Sequence, residues 1–155
     1  MNEKIAIQIR DLVAEFLSQL GFTQAYETTV DFDTTANHYL VTVSTPDPAV
    51  LIGYHGDTIS SLQLLLSQHL HVASGEWVSV SLNINDYRER RETALHALAD
   101  TMVEKVLATG QPQTLPALPA NERRVIHVYL SEHPKVSTES QGEGRFRTVV
   151  ISPKA

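Results

Sequence analysis

The 155-residue chain contains no cysteine. That absence removes disulfides, thiolate zinc ligands and cysteine nucleophiles together, and it suits a reducing, cytoplasmic setting. No stretch approaches the ~20 consecutive apolar residues needed to cross a bilayer. The opening residues, MNEKIAIQIRDL, lack the apolar core of a secretory signal, so none is expected. No P-loop, G-x-S-x-G or H-E-x-x-H string occurs. His69 and His71 have no carboxylate cluster beside them and the other carboxylates are scattered, so spacing nominates neither a metal site nor an acid–base pair. The expectation is a protein that is not an enzyme and uses no cofactor. Positive charge is scarce too, with 12 Lys and Arg against 18 Asp and Glu, a net charge of −6. Taken alone, that argues against binding nucleic acid.

The scarcity is uneven. Residues 1–85 hold 2 basic and 9 acidic residues, net −7, whereas residues 86–155 hold 10 basic and 9 acidic, net +1. Halves this different suggest two units with different tasks. At 42% hydrophobic and 19% charged, the composition is globular, and the length suits one ordinary domain or two small ones.

Periodicity supplies the elements. Ile5, Ile9, Leu12, Phe16 and Leu20 recur at helical spacing, with Gly21 as the stop. Phe22, Tyr26, Val30 and Phe32 alternate with polar Thr23, Glu27, Thr29 and Asp31, which predicts a half-buried strand. A polar turn over Asp33–Asn37 leads to a second strand through Tyr39, Val41 and Val43, ended by Pro46 and Pro48. Ala49–Ile52 reads as a short helix before Gly53-Tyr54-His55-Gly56. A helix capped by Asp57 or Thr58 follows, burying Ile59, Leu62, Leu65, Leu66 and Leu70. Val78, Val80, Leu82 and Ile84 form a third strand, so residues 1–85 read α-β-β-α-α-β. Trp77 is expected to pack under a neighbouring element, and His69 to be a core or helix-end histidine.

Asp86 and Glu89 have capping-box spacing and begin a long helix to about Thr109, with Ala94, Leu95, Leu98, Met102 and Val106 inward. Gly110 and Pro112 close it, and residues 111–119 read as a stiff connection or a short edge strand. A helix from Pro119 to about Leu130 and two strands, Val136–Ser140 and Arg145–Ile151, around Gln141-Gly142-Glu143-Gly144 complete the chain.

Three constellations carry chemistry. The first is Gly53-Tyr54-His55-Gly56, whose glycines let a sugar–phosphate backbone approach at the start of a helix. The four letters alone fit any tight helix-to-helix turn; their place between the second and third helices of α-β-β-α-α-β is what makes them informative. On these residues, 4–85 resembles a type II KH domain, in which this loop clamps the backbone of about four nucleotides. Such loops usually hold Lys or Arg between the glycines; here stand Tyr54 and His55. Weak, salt-sensitive RNA binding is expected of this half alone.

The second is Arg123-Arg124-Val125-Ile126-His127. Arg123 and His127 are one helical turn apart, and with Arg124 they form a cationic stripe, unless His127 is instead a hydrogen-bonded histidine under the next hairpin. Residues 111–152 resemble the R-three-H domain, named for an Arg and a His separated by three residues and linked to single-stranded nucleic acid. Arg145 and Arg147 alternate on the expected last strand, and with Arg123 and Arg124 they suggest one phosphate-tracking patch. The third is Tyr87-Arg88-Glu89-Arg90-Arg91-Glu92, either an ordinary ion-paired helix face or, through Arg88 and Arg91, an extension of the basic surface.

The string DYRERRE, between a KH-like and an R-three-H-like stretch, resembles the joint of the Jag (SpoIIIJ-associated) family. The resemblance implies an α+β chain with a KH domain over 1–85, a joining helix over 86–110 and an R-three-H domain over 111–155. Many Jag proteins carry an extra N-terminal domain and charged linker, so this chain reads as a short form, and membrane-insertase or envelope contacts are not carried over. The implied function is that of a bacterial, single-stranded RNA-binding post-transcriptional regulator, tied to cell elongation or division. The implied partners are RNA, with single-stranded DNA through the R-three-H domain, and a KH-only protein or a second copy. The alternative is a protein–protein adaptor whose KH half no longer binds RNA.

Overall fold

The computed structural model describes residues 3–22 and 26–154. Thr23, expected on the polar side of the first strand, lies outside the described residues. The chain divides into two compact units between Arg88 and Glu89.

In the first unit, α1 (Glu3–Gln19) buries Ala6, Ile9, Val13 and Leu17. Its end is a Schellman motif: Gly21, at φ 70°, donates to Ser18 O and Phe22 N–H donates to Leu17 O. Leu20, expected on the buried face, is exposed. β1 (Glu27–Asp33) and β2 (His38–Ser44) form an antiparallel hairpin, and β2 pairs in parallel with β3 (Val80–Ile84). The hairpin turn is local chemistry, with Asp33 Oδ1 accepting from the N–H groups of Thr35 and Ala36. Asn85 ties the far ends of β2 and β3 together, exchanging two hydrogen bonds with the Thr45 backbone at 2.9 and 3.1 Å.

Two helices cross over between β2 and β3: α2 (Ala49–Ile52) and α3 (Asp57–Ser74). α3 buries Ile59, Leu62, Leu66 and Leu70. Leu65 is 49% exposed instead of inward, because at ~100° per residue it lies well outside the stripe of the other four. No side chain caps α3: its N-cap is Gly56, not Asp57 or Thr58. Trp77 is not covered by a neighbouring element; it is 72% exposed and stacks on His71 with centroids 4.0 Å apart. His69 is exposed and meets Phe16 edge-on.

The second unit contains most of α4 (Tyr87–Thr109), then β4 (Gln113–Thr114), α5 (Ala120–Leu130), β5 (Val136–Gln141) and β6 (Thr148–Pro153). β6 is the middle strand, antiparallel to β4 and β5. The helix expected to join two domains is built into this unit. Leu95, Ala99, Val103 and Val106 form one stripe that packs into a core with Leu115, Leu118, Ile126, Leu130, Val136, Val149 and Ile151. Ala94 lies off that stripe and is exposed.

The last strand starts later than its alternation predicts. Arg145 sits in a 3-10 turn over Gly144–Phe146, and β6 begins at Thr148. Arg145 and Arg147 therefore do not alternate on a strand face. Gly142 and Gly144, at φ 87° and 54°, let the chain turn here instead of extending.

Candidate nucleic-acid interface

The loop over Gly53–Gly56 is one 3-10 turn between α2 and α3. Gly53 has φ 72° and ψ −172°, a conformation only glycine occupies readily, and a Cβ there would collide with the Thr58 side chain. Gly56 has φ 82°, and a Cβ there would stand 3.1 Å from the Tyr87 hydroxyl. Both glycines are thus demanded by the fold. Tyr54 is 79% exposed and meets the half-buried His55 ring edge-on at 4.2 Å. Asp57 adds an exposed carboxylate to the first turn of α3. The loop projects a ring rather than a cation.

Arg88 and Arg91, expected on a basic surface, are exposed and half-buried respectively, and both are engaged by internal partners. Arg88 Nε donates to Leu82 O at 3.0 Å and its Nη2 to Gln63 Oε1 at 2.6 Å. Gln63 Oε1 also accepts from Leu82 N–H at 3.0 Å. Arg91 makes a two-pronged ion pair with Glu122, Nε to Oε1 at 2.7 Å and Nη2 to Oε2 at 2.9 Å. Glu122 is only 3% exposed, so its charge requires this partner.

Arg123, His127 and Arg147 do come together. Arg123 Nη1 donates to Leu118 O at 2.6 Å and to Arg147 O at 3.5 Å, fastening the start of α5 to the β5–β6 turn. His127 is held between two hydroxyls on one face of β5, with Nδ1 2.7 Å from Thr138 Oγ1 and Nε2 2.8 Å from Ser140 Oγ. Partial burial, then repulsion from Arg123 and Arg147, holds this imidazole below the usual histidine range. It is therefore neutral at pH 7 and braces the helix against the strand; it adds no charge to the stripe. Arg124, Arg145 and Arg147 are exposed, and their guanidinium groups have no hydrogen bond or ion pair among the described residues. Arg123 and Arg147 thus meet, with His127 as the strut beneath them, and exposed Arg124 and Arg145 stand next to them in the sequence.

Residues 10–84 match the KhpA/KhpB KH domain family and residues 93–153 match the R-three-H domain family. RNA-binding protein KhpB of Clostridium symbiosum is 35% identical over 148 residues, which cover 94% of this chain and 67% of that protein. The chain belongs to the KhpB family, the Jag family of the resemblance above. KhpB of Lactiplantibacillus plantarum is 34% identical over 97% of this chain and 46% of its own length. KhpB of Bacillus subtilis is 35% identical over 68% of this chain and 52% of its own length. The chain thus spans about half to two thirds of the length of these relatives.

The R-three-H match includes most of α4, in keeping with the helix's place in the second core. Within that domain, three residues beyond Arg123 and His127 shape the site. Glu122 is detectable in the sequence: it shares the i, i+4 stripe of Ile126 and Leu130, where a charge needs a partner. Thr138 and Ser140 alternate on β5 and so share a face, but only the pairing of helix and sheet aims that face at His127.

Proposed function

We propose that this KhpB-family chain is a cytoplasmic single-stranded RNA-binding protein that regulates transcripts by holding them, without catalysing a reaction on them. The observation that carries the reading is that Arg124, Arg145 and Arg147 of the R-three-H unit are exposed with no ion pair among the described residues, and that half-buried Arg123 reaches the backbone of Arg147. The name of the relatives, RNA-binding protein, agrees with it. On this reading the R-three-H surface supplies most of the electrostatic affinity. The Gly53–Gly56 loop adds close backbone contact and, through Tyr54, a ring. Single-stranded DNA competes at the R-three-H surface, and a KH-only protein or a second copy of the chain is a further partner.

Arg123→Ala combined with Arg124→Ala tests this. On single-stranded RNA the double variant binds more weakly at every sequence. Its log K against log[salt] slope is shallower by about 0.7 for each phosphate no longer neutralised. Unchanged affinity and slope would remove the R-three-H surface from the account. The net charge of −7 over residues 1–85 and the loop with no Lys or Arg favour a second reading, a protein–protein adaptor. An adaptor shows no salt-dependent RNA binding in the same titration.

A further inference from the structure

The turn between β5 and β6 is braced from within. Phe146 N–H donates to Glu143 O at 3.2 Å and Arg147 N–H to Gly144 O at 3.4 Å. A Cβ on Gly142 would stand 3.3 Å from Phe146 O and 3.5 Å from Arg147 Cα, so the two limbs of the turn lie directly against each other. What this framework holds out into solvent is the Phe146 ring, 71% exposed.

A single exposed ring is commonplace and needs no function. The surroundings of this one are less ordinary. The Arg145 guanidinium carbon stands 5.1 Å from the ring centroid, within cation–π range. Arg147 follows directly, and its carbonyl is the group that receives Arg123 Nη1. Glu143 is the carboxylate within the turn itself, and Glu139 on β5 receives a hydrogen bond from Gln141. The ring thus stands at the edge of the arginine surface. A π face beside a row of cations is the arrangement with which proteins take single-stranded nucleic acid: a base on the ring, its phosphates on the charges.

We propose that Phe146 is a nucleobase-stacking site, receiving one unpaired base on the ring while Arg145, Arg147 and Arg123 hold the neighbouring phosphates. The proposal rests on the RNA-binding reading and adds that the R-three-H unit grips a base as well as the backbone. Because the ring lies outside the core, its removal spares the fold.

The full chain is titrated with a labelled oligouridylate and with an abasic oligomer of equal length and charge. The native protein prefers the base-bearing strand. Phe146→Ala reduces that preference by about 5- to 150-fold, the range for one stacked base. Its affinity for the abasic strand and its salt slope stay unchanged. Phe146→Trp retains the preference and, in a Trp77→Phe background, loses fluorescence on adding oligouridylate but not the abasic strand. A Phe146→Ala protein with the native preference overturns the stacking site and leaves the RNA-binding reading standing. A native protein that binds neither strand overturns both.

Discussion

His127 is a histidine whose position in the fold decides its charge. In an exposed helix it would titrate near pH 6.5 and add to the arginine stripe. Here its ring nitrogens are taken up by Thr138 and Ser140, and Arg123 and Arg147 repel a proton. The folded protein therefore binds that proton less readily than the unfolded chain does. The stabilising contribution is complete above about pH 6.5 and is lost as pH falls from there through the folded value. His127→Gln lacks this titration, so urea melts show the native protein losing stability more steeply than the variant between about pH 7.5 and pH 5.5. Equal losses would mean that the imidazole titrates normally. Arg123 and His127 are legible as a pair from their spacing alone. The roles of strut and anchor are not, because Thr138, Ser140, Leu118 and the Arg147 carbonyl reach them across the fold. Arg91 misleads for the same reason: its partner, Glu122, lies 31 residues away.

At the scale of elements, the glycine loop shows how far backbone geometry constrains function. Gly53 and Gly75 both have positive φ, but a side chain at Gly53 meets Thr58, whereas one at Gly75 meets open space. Gly53→Ala is therefore expected to destabilise the protein by about 1–3 kcal/mol, and by more than Gly75→Ala, in paired denaturant melts. Similar costs at the two sites would remove the steric argument. The alternation in β2 and β3 and the period of α1 and α3 make the order of elements in the first unit readable, since each is a local pattern facing a core. The errors are of phase and end. Leu65 and Ala94 are apolar but lie off the buried stripe, which composition alone does not reveal. The Arg145–Arg147 segment alternates like a strand, yet Gly142 and Gly144 turn the chain, and only pairing with β4 and β5 fixes where β6 begins.

At the scale of the whole molecule, the net charge of −6 averages two opposed balances, and the same division appears in the apolar interior. The two hydrophobic clusters share no residue. Leu66 lies wholly in the first, so Leu66→Ala, a loss of about 2–5 kcal/mol, lowers hydrogen-exchange protection in β2 and β3 while amides of β5 and β6 keep theirs. Uniform loss across both units would show one cooperative structure instead. The first unit also has a sheet edge at β3, which pairs with β2 alone. There the outward-facing amide and carbonyl of Leu82 are already occupied by Gln63 and Arg88. A strand from another molecule arriving at that margin finds its central docking point filled by side chains of the resident chain. Arg88, read from the sequence as part of a basic surface, thereby also satisfies a backbone group that a sheet edge would otherwise leave open.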